Sequence, residues 1–335
     1  MINMNEKITL FLENNRALED VKGSWGMYGF QIKSSALTCT MKNQRVEVDK
    51  INLALDTIKK NTSMFSNFRG INKLTTAITI SFEDDMEGSL KEIISIYENL
   101  KDNFFPNEYL VMAAQVIFNA RYRVNVDDAV KNTRVAYDYM KKHHRFLTGQ
   151  EDIANAAIIA TTSSNLEETF KEIEESYQYL KDNGISYSNN IQSLSHILSL
   201  INLPSRQKCD EVLEMNSILK ENKVPVKDYL IPMLGIITFL TDNKKKFAEN
   251  ISDISIILKK EKGFGNFALG ANFRNMISAT LVSLDYLENI DSNVKENIIS
   301  NTNNIALTVA IAMQTAVIVS SAAAASAASA SSSSS

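Results

Sequence analysis

An apolar residue followed by lysine recurs along this chain at Ile58-Lys59, Leu100-Lys101, Met140-Lys141, Leu180-Lys181, Leu219-Lys220 and Leu258-Lys259. Successive marks lie 42, 40, 40, 39 and 39 residues apart, a regularity that points to internal duplication. Reading back 3, 7 and 10 residues gives Leu55, Ile51 and Val48 in the first copy, Tyr97, Ile93 and Leu90 in the second, and Tyr177, Ile173 and Phe170 in the fourth. At 3.6 residues per turn those positions form one stripe of a helix. The third copy keeps Tyr137 and Val130 around Thr133, the fifth keeps Val212 and Cys209 but has Asn216, and the sixth slips by one residue to Ile254, Ile251 and Phe247. The opposite faces are charged, as in Glu167, Glu168, Lys171 and Glu172. These are the A helices.

A polar turn of about ten residues follows each mark, and then a second segment that is apolar nearly all round. Those segments are Tyr109 to Ala120, Ile153 to Thr161, Ile191 to Leu203, Tyr229 to Leu240 and Phe267 to Leu287. A helix of that kind is buried between neighbours, and these are the B helices. Leu74 to Phe82 holds the same place in the first copy and reads as helix despite its β-branched residues. Ser89-x-x-Glu92, Thr148-x-x-Glu151 and Ser164-x-x-Glu167 read as capping boxes at helix starts. Pro106 fits the first turn of its helix, whereas Pro232 should bend or delay the fifth B helix.

Helix pairs of about 40 residues predict an all-α fold, an α-solenoid of about six repeats in which each pair stacks on the next. The expected form is a right-handed curved stack, open rather than closed into a toroid. Residues 1–45 read as an N-terminal helical cap, with a helix near Asn5 to Asp20, a turn at Lys22 to Tyr28 holding the lone Trp25, and a short helix near Ser34 to Lys42. Residues 46–290 form the repeat array, 291–322 a closing helix, and 323–335 a disordered Ala/Ser tail. With only 4 Pro and 11 Gly in 335 residues, the chain lacks the turn signals that a sandwich or barrel needs.

A net charge of -4 leaves no electrostatic footprint for nucleic acid. Cys39 and Cys209 suggest neither a disulfide framework nor a zinc site. The first twenty residues carry Glu6, Glu13, Glu19 and Asp20 and lack the apolar core of a secretory signal, so a cytoplasmic protein is expected. Ile305 to about Ala325 is long enough to span a bilayer. Its Thr308, Gln314 and Thr315, its preponderance of alanine and its lack of flanking cations favour a closing helix over a tail anchor.

Lys141, Lys142, His143, His144 and Arg145 form the most conspicuous charge run. An anion or metal contact is one reading; cations complementing a helix C-terminus is the better one, since each repeat has a lysine there. Adjacent histidines lack metal-ligand spacing. His196, among Ile197, Leu198 and Leu200, reads as a core or groove histidine, with no nucleophile at elbow spacing. Glu83, Asp84, Asp85 and Glu87 lack the spacing of a calcium loop and read as acids before a helix N-terminus. Gly263, Gly265 and Gly270 have no Gly-Lys-Ser/Thr after them and no strand before them, so they make a turn and not a phosphate loop. No cofactor is implied, and the sequence leaves open whether the chain is an enzyme.

Three short stretches carry a resemblance: Phe146-Leu147-Thr148-Gly149-Gln150-Glu151-Asp152 ahead of Ala154 to Ala160, Phe68-Arg69-Gly70 in the first A-to-B turn, and Met313-Gln314 before the tail. With the length, they resemble a family of uncharacterised proteins from Bacillus-type and related Firmicutes, known only as a domain of unknown function. The resemblance covers essentially the whole chain. It implies a bacterial cytoplasmic protein and a site lined by Phe146 to Asp152, and adds no activity. The residues put forward for binding are Arg69, His143, His144, Arg145, Thr148 and Asp152. The expected role is a scaffold for a protein or peptide partner. The alternatives are a small-molecule or lipid binder, or an enzyme, with a site between B helices, and membrane association through the tail.

Overall fold

The computed structural model describes residues 2–24, 29–185, 188–201, 203–227 and 230–289. The closing helix and tail expected over 291–335, and the turn at Trp25, lie outside the described residues. Among the described residues there are fourteen α-helices and no strand. In chain order they are α1 (Ile2–Glu19), α2 (Gly29–Met41), α3 (Val48–Asn61), α4 (Lys73–Ser81), α5 (Met86–Lys101), α6 (Glu108–Ala120) and α7 (Val126–His143). Then follow α8 (Asp152–Thr162), α9 (Leu166–Asp182), α10 (Ser188–Leu198), α11 (Ser205–Glu221), α12 (Leu230–Ile237), α13 (Lys244–Lys260) and α14 (Ala271–Asn289). Leu74 to Ser81 is helical, as its position along the chain required.

The apolar stripes explain which faces are buried. Ile58, Leu100, Met140, Leu180, Leu219 and Leu258 each lie in the last turn or two of a helix and are at most 2% exposed. Above them α3 buries Ile51 and Leu55, α5 buries Leu90, Ile93 and Tyr97, and α13 buries Phe247, Ile251 and Ile254. The lysine after five of the six anchors is exposed, and Lys101 is half-buried. By contrast, α6 is buried over an unbroken run from Leu110 to Phe118, and α8 from Asp152 to Thr161. A helix without a wet face must be covered on several sides.

Among the described residues the chain divides into two compact units, one made of residues 2–11 and 167–289, the other of 12–166. Packing is mostly between neighbours along the chain. In the 12–166 unit α3 packs on α4, α5 on α6 and α7 on α8; α5 also touches α3 and α7, and α6 packs on α8. Gln115 of α6 donates to Thr76 Oγ1 of α4 at 2.8 Å, so two buried polar groups satisfy each other. Asn14 of α1 donates to Thr40 Oγ1 at 3.2 Å and the Gln44 carbonyl at 2.9 Å, and accepts from the Val46 amide at 2.8 Å.

In the other unit α10 packs on α12, α12 on α14, α11 on α13 and α13 on α14. The α10–α12 approach depends on Gly235, where a Cβ would stand 2.7 Å from Ile197 Cγ2 and 3.1 Å from Leu194 Cδ1. Phe11 of α1 meets Phe264 edge-on at 5.7 Å, a contact between ends of the chain that neighbour stacking does not predict. Lys208 of α11 is fully buried, its ammonium donating to Glu172 Oε2 of α9 at 3.0 Å and to the Ile201 carbonyl at 3.3 Å.

Several local boundaries differ from the sequence expectation, each for a stereochemical reason. Asp85, not Ser89, caps α5, its carboxylate accepting from the Gly88 amide at 2.8 Å; aspartate three residues before a free N–H serves this purpose well. Thr148 does not open α8 but donates to the Met140 and His144 carbonyls, both at 3.0 Å, closing α7 instead. α9 begins at Leu166, one residue past the start implied by a Ser164 cap. Pro106 lies just before α6, whose cap is Asn107, accepting from the Leu110 amide at 2.9 Å. α12 keeps Pro232 in its first turn, where no intrahelical N–H is needed, but ends at Ile237. α14 starts at Ala271 because Gly270 adopts a left-handed φ of 81°.

The Lys208–Glu172 pair gives a direct test. Glu172→Gln leaves a buried ammonium without its counter-charge and is expected to lower unfolding stability by about 3 kcal/mol, whereas adding Lys208→Met to it recovers most of the loss. Urea denaturation of the two variants beside the native chain checks the ordering; a double variant no more stable than Glu172→Gln alone contradicts it.

Candidate functional site

The residues singled out in the sequence fall into separate local arrangements. Arg69 ends a 3-10 turn, Asn67–Arg69, and turns its guanidinium back on α3. It donates to the Lys59 and Thr62 carbonyls and to Thr62 Oγ1, the last at 3.0 Å. It thereby closes the C-terminus of α3, where free carbonyls and the helix dipole favour a cation.

The charge run after Met140 splits at the end of α7. His143 is the last helical residue and stacks on Tyr139, ring centroids 4.2 Å apart. His144 occupies the cap position, its amide donating to the Met140 carbonyl at 2.8 Å. Arg145 is exposed. Thr148 and Asp152, by contrast, are brought together. Lys141 Nζ donates to the Thr148 carbonyl at 2.6 Å, the Gly149 amide donates to Asp152 Oδ2 at 2.9 Å, and Asn155 donates to Asp152 Oδ1 at 3.2 Å.

Asp152 is 7% exposed, and its carboxyl is pushed up to about 6. Burial is the main cause and Glu151 adds to it, while the Gly149 amide, Asn155 and Lys141 pull the other way. Burial likewise raises the Tyr137 and Tyr109 phenols, with Asp152 and Glu151 contributing at Tyr137 and Glu151 and Glu108 at Tyr109. A carboxyl holding its proton near neutrality can serve as a general acid. Here both its oxygens already accept hydrogen bonds within the α7–α8 junction.

Among the described residues no group of three or more His, Cys, Asp or Glu is arranged to hold a metal ion. In the acidic cluster, Asp85 caps α5, Glu83 accepts from Arg121 at 2.6 Å and Glu87 pairs with Lys91 at 2.9 Å. Cys39 and Cys209 are buried free thiols, pushed up by that burial to about 12 and about 11. His196 is buried on α10.

A broad concavity lies in the other unit and was not visible in the sequence. It is a cleft of about 980 Å³ formed by the first turns of α1, the segment after α12, and α11, α13 and α14. Ile8, Leu203, Phe239, Leu240 and Ile254 line its apolar part. Acids stand around them: Glu211, Asp242, Asp253 and Asp285. Lys244 is clamped between Glu211 and Glu214, so one of the two lysines in the lining is already neutralised. Thr238, 2% exposed, also lines the cleft, and its hydroxyl has no hydrogen-bond partner.

The cleft exists because α12 stops at Ile237 and the chain turns inward through Thr238 to Leu240, all still buried. The sequence signal was the polar Thr241-Asp242-Asn243 directly after the apolar run. Its remaining lining comes from α1, α11 with Leu203 just before it, α13 and α14, which no local pattern connects.

A family model described as "Protein of unknown function (DUF4003)" matches residues 17–316. The resemblance carried by Phe68-Arg69-Gly70, Phe146 to Asp152 and Met313-Gln314 pointed to such a family. The "Uncharacterized protein YeaA" of Bacillus subtilis (strain 168) is 26% identical over 233 residues, covering 67% of this chain and 68% of that protein. No solved structure matches.

Asp152 makes stability depend on pH in a defined direction. Folded, it keeps its proton up to about pH 6; unfolded, it releases it near 3.8. Between those values the folded chain binds more protons, so its contribution is full below the window and is lost as pH rises through it. Asp152→Asn can still accept from Gly149 and should be more stable than the native chain at pH 7.5 by on the order of 2 kcal/mol, with a flatter profile from pH 4 to 6. Urea melts across that range decide; a less stable variant at pH 7.5 removes the argument.

Proposed function

The chain belongs to the DUF4003 family, and from that premise we propose that it is a non-catalytic interaction protein that binds a short amphipathic segment of a partner through the cleft bordered by α11 to α14. The cleft itself carries this reading: an apolar floor ringed by more acids than free lysines suits an apolar segment with a basic side chain.

Behind the cleft we place an α-solenoid of about six helix pairs. Support comes from six buried anchors near the ends of the even-spaced helices, and from packing in which α3, α5 and α7 follow one another as do α10, α12 and α14. Stacks of this kind present long surfaces suited to peptides. A second reading, a small amphipathic molecule in the same cleft, is favoured by a volume within the range of small-ligand sites. As for spanning a membrane, no helix among the described residues is long and apolar enough.

Asp242 and Asp253 are exposed, so Asp242→Lys/Asp253→Lys should fold normally and reverse the charge at the rim. Capture from native lysate with gentle crosslinking, and native mass spectrometry for a retained small molecule, are compared between the native and reversed chains. The expected result is a species held by the native chain and weakened about tenfold or more in the variant. Identical capture by both chains defeats the cleft as the binding site. Thr238→Val should stabilise the chain by about 1 kcal/mol in urea denaturation, by removing a buried unpaired hydroxyl.

A further inference from the structure

Outside the cleft, three of the four barest large apolar side chains described in the 12–166 unit stand in three consecutive A-to-B turns; the fourth, Tyr122, lies in the α6–α7 turn. Phe65 and Met64 stand in the α3–α4 turn at 91% and 73% exposure, Phe105 in the α5–α6 turn at 85%, and Phe146 in the α7–α8 turn at 99%. Scattered exposed apolar residues are ordinary. A phenylalanine left bare at the equivalent place in three successive turns is not.

These turns emerge side by side. Each of α3, α5 and α7 is followed by a return helix packed on it, and α5 touches both α3 and α7, so the three run the same way and end at one edge. Hydrogen bonds tie the turns to their neighbours. Asn67 donates to Tyr97 Oη at 2.8 Å, Asn72 to the Glu108 carbonyl at 2.7 Å, and Arg134 to the Asn103 carbonyl at 2.6 Å. Phe104, beside Phe105, packs edge-on against Tyr137 at 5.3 Å, turning inward while its neighbour points out.

The same edge collects cations in a chain that is acidic as a whole. Residues 59–73, 101–108 and 141–152 hold eight Lys or Arg against four Asp or Glu, a surplus of four, in a chain of net charge -4. The first of these turns has no acid at all, and of the four acids Asp152 is buried. Lys59, Lys60, Lys142 and Arg145 are exposed in these turns or the helix ends that lead into them, as is Lys141, which also donates to the Thr148 carbonyl.

We propose that this edge docks on the surface of an anionic lipid membrane, with Phe65, Phe105 and Phe146 entering the headgroup region and the surrounding lysines and Arg145 pairing with lipid phosphates. The rings stand almost fully bare at turn tips, rather than recessed in a pocket of the kind that anchors a protein partner. Packed helices lie 8–10 Å apart, which sets three tips in a row along one edge, suited to a flat surface. Shallow burial of aromatic rings with flanking cations is how a peripheral protein holds an anionic interface. Long cationic side chains keep their heads in the polar layer while their stems lie along the apolar one.

The test uses the full chain and vesicles of phosphatidylglycerol and phosphatidylcholine at 1:1, beside vesicles of phosphatidylcholine alone. Cosedimentation with the first and not the second is expected, weakening as salt rises. The triple variant Phe65→Ser/Phe105→Ser/Phe146→Ser, all at exposed positions, should keep its helical circular dichroism and bind about tenfold less. In a separate Phe146→Cys chain, an environment-sensitive label goes selectively to the exposed thiol, because Cys39 and Cys209 are buried. Its emission should shift to the blue on the anionic vesicles. The proposal fails if the native chain ignores these vesicles at low salt, or if the triple variant binds undiminished. It also fails if the chain sediments while the label at position 146 stays unchanged, which would place the contact elsewhere on the chain. A soluble protein captured by the native chain and lost by the triple variant, without vesicle binding, replaces the lipid surface with a protein partner.

Discussion

A helix whose entire circumference is apolar cannot remain in water, and this requirement organises both units. From Leu110 to Phe118 α6 has no wet face, and α8 is buried from Asp152 to Thr161. Each must be enclosed by neighbours, some of them amphipathic helices that offer one stripe apiece and some themselves buried all round. Covering such a helix therefore takes more than one partner: α8 is met by both α6 and α7, and α12 by both α10 and α14. A full side chain's burial is worth roughly 1.5–3 kcal/mol, so losing cover from even one side would outweigh most of a domain's marginal stability.

The buried arginines enter this apolar interior with partners already in place. Arg121 lies over the Phe118 ring with its guanidinium carbon 3.7 Å from the centroid and donates to Glu83 at 2.6 Å. Arg274, 5% exposed, donates to the Phe264 carbonyl at 3.0 Å and to Ser255 at 3.2 Å, and Ser255 in turn donates to Asn275 at 2.7 Å. Burial lowers the pKa of Arg274, and the oxygens it donates to are neutral. Asp152 resolves the same problem by holding its proton higher. These interior groups fix where helices start and stop more than they build a reactive centre.

Much of the helical content could be read from spacing, because a stripe with a 3.6-residue period has one physical interpretation. The six aliphatic–lysine marks fell near helix ends because an apolar stripe and a C-terminal cation are both local demands. Local rules failed where two residues could satisfy the same orphan group. Asp85 and Ser89 both precede free amides, and only the three-dimensional path of the chain decides that Asp85 caps α5. Thr148 could cap forwards or backwards, and the carbonyls left at the end of α7 drew it back. The cleft was invisible for a different reason: Ile8, Leu203, Phe239 and Ile254 are distant in sequence, and concavity is a property of how segments meet. Exposure of Phe65, Phe105 and Phe146 was equally hidden, since the sequence shows an aromatic residue in a turn but not which way it faces.

The brevity of α12 has a dynamic consequence. Eight residues close only about four backbone hydrogen bonds within the helix, because the first four amides of any helix have no partner inside it. Such a segment relies on side-chain packing rather than on its own ladder, and it adjoins Thr238 to Leu240, which wall the cleft. Amide protons there should exchange with solvent earlier than those of the seventeen-residue α11 and α13 beside it. Local opening of this unit would then reach the wall of the cleft before the longer helices beside it, so an entering guest would meet a segment that yields more readily than they do.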